Sequence, residues 1–233
     1  MGDRHRPKRG SMAFSPRKRA RRQTGRVKSW PSNDIGEVKV QGFAGYKAGM
    51  SHVLIRDENP GSPSAGQEVR RAVTIVETPP MRVLGVRGYK LTPYGKQTAG
   101  EAWASCEVIS EAQPNLIRRV PARNEHNTDE HMSSLKELVE NGKLVEVRLI
   151  VSTQPESVKS IPTKTPDLME LGLSGSDIGA RLGWAEEKLG ELISVGDVFS
   201  NGNDIDVVAV TKGKGWQGSI KRWGIKLLSH KNS

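Results

Sequence analysis

Val69-Arg70-Arg71-Ala72-Val73-Thr74-Ile75-Val76-Glu77-Thr78-Pro79-Pro80-Met81-Arg82-Val83-Leu84-Gly85-Val86-Arg87-Gly88-Tyr89 says more about the architecture than any other stretch of this chain. Val69 to Glu77 is β-branched and reads as a strand. Pro79-Pro80 withholds two backbone donors and interrupts it. Met81 to Tyr89, with Val83, Leu84 and Val86, reads as a strand again. Upstream, Val38, Val40 and Phe43 alternate with polar residues, Gly45 to Gly49 predicts a turn, and Ser51 to Ile55 predicts another strand, a hairpin with a longer loop. Asn59-Pro60-Gly61-Ser62-Pro63 is loop. Strands punctuated by Gly/Pro clusters, with no helices between them, predict a mainly β fold, an antiparallel barrel or sandwich.

Further on the pattern changes. Thr128 or Asp129 can cap a helix whose Met132, Leu135, Leu138 and Val139 have helical spacing, and Asn141-Gly142 suits its end. Leu144–Val151 is β-rich. A second helix is predicted near Trp184–Ile193, with Ala185, Leu189 and Leu192 inward and Glu186, Glu187 and Glu191 solvated. Residues 95–195 therefore read as an α/β insertion on a β body that begins at 36–94. Residues 196–210 read as the return to that body, with Asp204–Val210 as a strand. Residues 1–35, broken by Pro7, Gly10, Pro16, Gly25 and Pro31, read as an extended arm.

Charge is concentrated at the ends. Residues 1–30 carry eleven Lys or Arg against Asp3 alone, which equals the whole net charge of +10. From Thr211 onward stand Lys212, Lys214, Lys221, Arg222, Lys226 and Lys231, with no acid after Asp206. The stretch between holds 19 basic and 25 acidic residues. A body of opposite sign with two cationic extensions is the electrostatic footprint of a protein that meets a polyanion. Phe14 and Trp30 interleave the first cationic run and could stack on bases.

Enzyme chemistry finds little support. Gly213-Lys214-Gly215-Trp216-Gln217-Gly218 matches G-x-G-x-x-G, but no acid follows for a ribose hydroxyl, and Ser219 stands where a P-loop needs Lys. The same glycines let backbone approach phosphate, with Lys212, Lys214, Lys221 and Arg222 as point charges. Trp216 and Trp223 could stack on bases or pack beneath the loop. His126 and His131 lack a zinc-site spacing, and His52 falls within a predicted strand. Cys106 is the single cysteine, so no internal disulfide forms, which fits a reducing, cytoplasmic setting. No apolar run reaches 18 residues, so no membrane span is predicted.

Four blocks are more specific. Arg6-Pro7-Lys8-Arg9-Gly10-Ser11-Met12-Ala13-Phe14-Ser15-Pro16-Arg17-Lys18-Arg19-Ala20 resembles the N-terminal extension of the universal large-subunit ribosomal protein L-three family, archaeal and eukaryotic branch. The blocks at 42–52 (Gly-Phe-Ala-Gly-Tyr-Lys-Ala-Gly-Met-Ser-His), at 73–80, and from Val210 through Gly218 to Trp223-Gly224 and His230-Lys231 resemble the same family in the same order.

The resemblance implies a translation-protein-type antiparallel β-barrel with an α/β insertion and extended basic arms. It implies a structural, non-enzymatic protein of the large ribosomal subunit that aids subunit assembly. Its partners would be large-subunit rRNA and neighbouring large-subunit proteins, with no membrane, no cofactor, no metal and no small-molecule substrate. Expected rRNA contacts are Arg6, Lys8, Arg9, Arg17, Lys18, Arg19, Arg21 and Arg22 in the arm (1–35). In the loop beginning at 211–233 they are Lys212, Gly213, Lys214, Gly215, Trp216, Gly218, Lys221, Arg222, Trp223 and Lys226, reaching toward the peptidyl-transferase region. In the family the loop continues and later strands close the barrel. This chain reaches only Ser233, so the barrel is expected to be incomplete, with an exposed edge that a second polypeptide or rRNA would cover. The rival readings are a nucleotide-dependent enzyme using residues 213–218 and a DNA-binding basic protein.

Overall fold

The computed structural model describes residues 15–16, 18–31, 36–112, 116, 120 and 127–231. The chain divides into two compact units. One runs from Lys28 to Asp204, and the other gathers the chain up to Val27 with the chain from Ile205 onward. Among the described residues no helix is long and apolar enough to cross a membrane.

The Lys28–Asp204 unit is built on β-strands. β1 (Tyr46–Arg56) and β2 (Glu68–Glu77) pair antiparallel as a two-stranded sheet. β3 (Met81–Thr92), β4 (Gly95–Trp103), β5 (Glu146–Ser152), β6 (Leu168–Gly172) and β7 (Leu192–Ile193) form an antiparallel five-stranded sheet in the order β4-β3-β5-β6. β7 pairs with Met81 and Arg82, where β4 no longer lies beside β3. The mainly β expectation holds, but no closed barrel forms among the described residues. Pro79-Pro80 interrupts the strands as predicted, and there the chain passes from one sheet to the other.

Local chemistry explains where expectation and structure part. The turn predicted at Gly45 to Gly49 is absent: β1 runs on from Tyr46, and the register shift between Lys47 and Gly49 absorbs Ala48 as a bulge. The hairpin loop is instead 57–67, closed by Asp57, whose carboxylate accepts from the Asn59 N–H (3.1 Å) and the Ser64 hydroxyl (2.6 Å). The sheet also crosses the boundary expected at 94/95, because β3 pairs with both β4 and β5.

α2 (Thr128–Glu140) follows α1 (Cys106–Ala112) and matches the predicted helix. Its N-cap is Asn127; Thr128 instead donates its hydroxyl to the Trp103 carbonyl at 2.8 Å. It ends in paired bonds, Gly142 N–H to Val139 O and Lys143 N–H to Leu138 O, the pattern a glycine in the left-handed region permits. α3 (Ile178–Glu187) begins six residues before the predicted helix and ends earlier. Asp177 caps it by accepting from Gly179 and Ala180. Gly190 N–H then donates to Val83 O, so Leu192 and Ile193 join the sheet, with Ile193 buried and Leu192 exposed.

β5 is buried along its whole length, as a central strand with both faces covered should be. Val147, Leu149 and Val151 pack with Val86, Met132, Leu135, Leu182 and Ala185 in one cluster. Ile150 packs with Leu84, Trp103, Ile109, Leu116 and Val120 in another.

Beside that second cluster lies an ionic network. Arg87 pairs with Glu101 (2.7 Å) and with Glu170; Arg148 pairs with Glu146 (2.7 Å) and Glu170 (3.2 Å); Lys96 pairs with Glu146. The Tyr89 hydroxyl donates to Glu170 at 2.7 Å, and the Arg148 guanidinium lies 4.5 Å from the Tyr89 ring centroid. The network joins β4, β3, β5 and β6.

Trp30 does not interleave a charged arm as expected. It packs against the core between glycines, where a Cβ at Gly172 would lie 2.5 Å from its Cγ and one at Gly42 would lie 2.9 Å from its ring. Gln41 Nε2 donates to Pro31 O (2.7 Å), and a Val40–Leu173 bridge extends the sheet past β6. Gly172→Ala should therefore cost about 1–3 kcal/mol by overpacking, read as a lower denaturation midpoint. Gly36→Ala, where the space is open, is the control. Equal midpoints for the two variants would refute the slot.

Candidate nucleic-acid interface

The unit formed by the two ends of the chain separates charge sharply. It contains sixteen Lys or Arg and two acids, a net +14, whereas the Lys28–Asp204 unit has twenty against 24, a net −4. The sequence presents two cationic ends; the structure gathers them into one unit. Gly25 shows how closely they meet: a Cβ there would lie 2.5 Å from the Val208 carbonyl oxygen. Only a residue without a side chain lets the two backbones approach so far.

Lys18, Arg19, Arg21 and Arg22 are exposed, as are Lys212, Lys214, Lys221, Arg222 and Lys226. Arg26 and Lys231, absent from the expected contact set, are also exposed in this unit. Among the described residues none of these cations forms an ion pair, so each has its charge available to an external anion. Arg6, Lys8, Arg9, Arg17 and Phe14 lie outside the described residues, as does His126.

The strand predicted at Asp204–Val210 does not form. Among the described residues the segment has no ladder partner, and Ile205, Val207, Val208 and Val210 are exposed. Alternating apolar residues alone do not make a strand when no edge is available to pair. This also removes the context that a dinucleotide fingerprint requires. No strand precedes Gly213, and the helix after Gly218, α4 (Ser219–Trp223), is only five residues long.

The glycine run has other properties. A Cβ at Gly213, Gly215 or Gly218 would meet nothing within 4 Å, so the backbone there is open to a ligand. Gly215 has φ +62°, and Gln217 Nε2 donates to Lys214 O at 2.7 Å, closing a turn that carries Trp216. Trp216 is fully exposed. Trp223 is half-buried, with the Arg222 guanidinium 4.9 Å from its ring centroid. The sequence had not separated the two tryptophans.

Among the described residues no three His, Cys, Asp or Glu side chains gather as metal ligands. His52 is exposed on β1, with its Nδ1 3.1 Å from Arg70. Two of the three solvated acids of the second predicted helix are ion-paired, Glu186 with Lys136 and Glu191 with Lys188, both at 2.8 Å. Surface pairs of this kind contribute little to stability.

Residues 1–233 match the family model described as Ribosomal protein L3. Large ribosomal subunit protein uL3 of Methanococcoides burtonii is 43% identical over 229 residues, covering 98% of this chain and 66% of the relative. The proteins of the same name from Archaeoglobus fulgidus and Aeropyrum pernix are 46% and 47% identical, over 98% and 95% of this chain and 66% and 63% of their own lengths. The chain thus spans slightly less than two thirds of the length of these curated relatives. With the family model matched end to end and identities above 40% over nearly every residue, the chain belongs to the ribosomal protein L3 family.

Proposed function

We propose that the chain is a structural component of the large ribosomal subunit that binds large-subunit rRNA through the unit made from its two basic ends and aids subunit assembly. The observation that carries this reading is the charge separation: one unit has a net +14, with its described cations exposed and outside any ion pair, and the other a net −4. Such a surface suits the phosphate backbone and RNA shape more than base edges. The relatives' name, Large ribosomal subunit protein uL3, supports the same partner. The role is non-enzymatic and takes place in the cytoplasmic ribosome, beside neighbouring large-subunit proteins. The arm (1–35) and the loop from 211–233 make the contacts, the loop toward the peptidyl-transferase region.

The finer fold reading is an incomplete translation-protein-type barrel. Its support is the β1–β2 sheet, which leaves Met50, Leu54, Ile55, Ile75 and Val76 exposed. A two-stranded ribbon of this kind is marginal alone and gains stability when further strands or rRNA cover it.

Competition binding tests the function. Large-subunit rRNA should displace duplex DNA of equal charge from the chain, and neither NAD nor ATP should bind at micromolar concentration. Equal competition by duplex DNA would point to a general polyanion binder, and nucleotide binding to an enzyme.

A further inference from the structure

We infer that Trp216 is a base-stacking residue, lying against an unpaired base of the RNA strand whose phosphates the neighbouring cations neutralise. The inference rests on the RNA-binding reading above and adds what that reading lacks, a contact with a base. Trp216 has a relative exposure of 104%, so no described side chain of its own unit covers either face of the indole. An aromatic side chain of this size gains substantially from being covered.

Its backbone is held in place. Gly215 turns the chain at φ +62°, and the Gln217 amide donates to Lys214 O on the other side of the turn. The indole is therefore displayed on a closed turn, and the space around Gly213, Gly215 and Gly218 is free for an incoming strand.

Charge identifies the occupant. Between Val207 and Lys231 there are six Lys or Arg and no acid. A partner that answers both the cations and a flat apolar ring carries negative charge and aromatic faces at a short repeat, as a single nucleic-acid strand does. In a duplex each base face is already covered by its neighbours, so the base in question is unpaired. Trp223 does not share the role, because the Arg222 guanidinium already occupies a position over its ring.

The test uses the full 233-residue chain and two RNA probes of equal length and charge, one single-stranded and one fully paired. Trp216→Ala should lose about 10–100-fold in affinity for the single strand, keep its affinity for the duplex, and keep the salt slope of both. Trp216→Phe should restore most of the loss. An equal effect of Trp216→Ala on both probes, or no effect on either while the parent chain binds RNA, would overturn the stacking role alone. Failure of the parent chain to bind either probe would overturn the RNA-binding reading and the stacking role with it. Loss of binding to a large-subunit protein, with both RNA affinities unchanged, would assign the indole to a protein contact and also overturn the inference.

Discussion

Replacing Lys212, Lys214, Lys221 and Arg222 together by glutamine should lower affinity for large-subunit rRNA roughly 10²–10³-fold at ~0.1 M salt and flatten the slope of log K against log salt by about 3. The reasoning is counterion release. Each phosphate-neutralising cation contributes about 0.7–0.9 to the slope, and the four removed charges act as a group. They are exposed, lie outside every ion pair among the described residues, and sit where the glycine run keeps the backbone open. Lys136 and Lys188 provide the control: both are exposed cations already paired to glutamates in the acidic unit. Their replacement by glutamine should leave the slope unchanged. Salt titrations by filter binding between ~50 and ~200 mM decide the matter. An unchanged slope for the fourfold variant would remove the loop from the interface.

The second large effect lies in the sheet. Arg148→Ala should destabilise the Lys28–Asp204 unit by about 1.5–3 kcal/mol, because it removes the charged hydrogen bonds to Glu146 and Glu170 and leaves Lys96 alone at the first and Arg87 with Tyr89 at the second. The Arg148 side chain is only 7% exposed, so its bonds to the two carboxylates are made largely out of water. Arg148→Met, which keeps much of the aliphatic volume but not the guanidinium, separates lost charge from lost volume. If both variants unfold within ~1 kcal/mol of the parent chain, the network carries no stability.

The same carboxylates predict acid sensitivity. Burial opposes the charged form of Glu170, but hydrogen bonds from Tyr89 and Arg148 and the Arg87 charge outweigh it and hold its pKa below the ordinary carboxylate value. Burial likewise opposes charge on Glu146, and Arg148 and Lys96 outweigh it. A depressed folded-state pKa means the contribution is complete above the unfolded value of ~4.3. It is lost as pH falls through the lower, folded value. Glu170→Gln should shrink the drop in stability on acidification below pH ~4 seen by chemical denaturation.

Much of the fold could be read from the chain, for physical reasons. β2 and β3 are runs of β-branched residues bounded by Pro79-Pro80, and α2 has both a helical apolar period and an Asn141-Gly142 stop. Local chemistry is decisive in such segments. It misleads where tertiary pairing overrides it. Gly45 to Gly49 looks like a turn, yet β2 supplies a partner that draws it into a strand. Asp204–Val210 looks like a strand, yet no described residue pairs with it.

The cationic surface was legible because charge density needs no fold to be counted. The meeting of Gly25 with Val208 was not, since nothing local links two positions so far apart. The difference between Trp216 and Trp223 was equally hidden, because both sit in the same basic sequence and only the placement of Arg222 separates them.

The approach of Gly25 to Val208 has a consequence for synthesis. The two are made far apart in time, roughly 10–40 s at ~5–20 residues per second. The cations made first must wait for those after residue 205, while the intervening sheets can complete their own folding as soon as they emerge. The unit that gathers these cations is thus assembled only after residue 205 has been made, and a nascent chain stalled before that point carries its early positive charge without the segment it packs against.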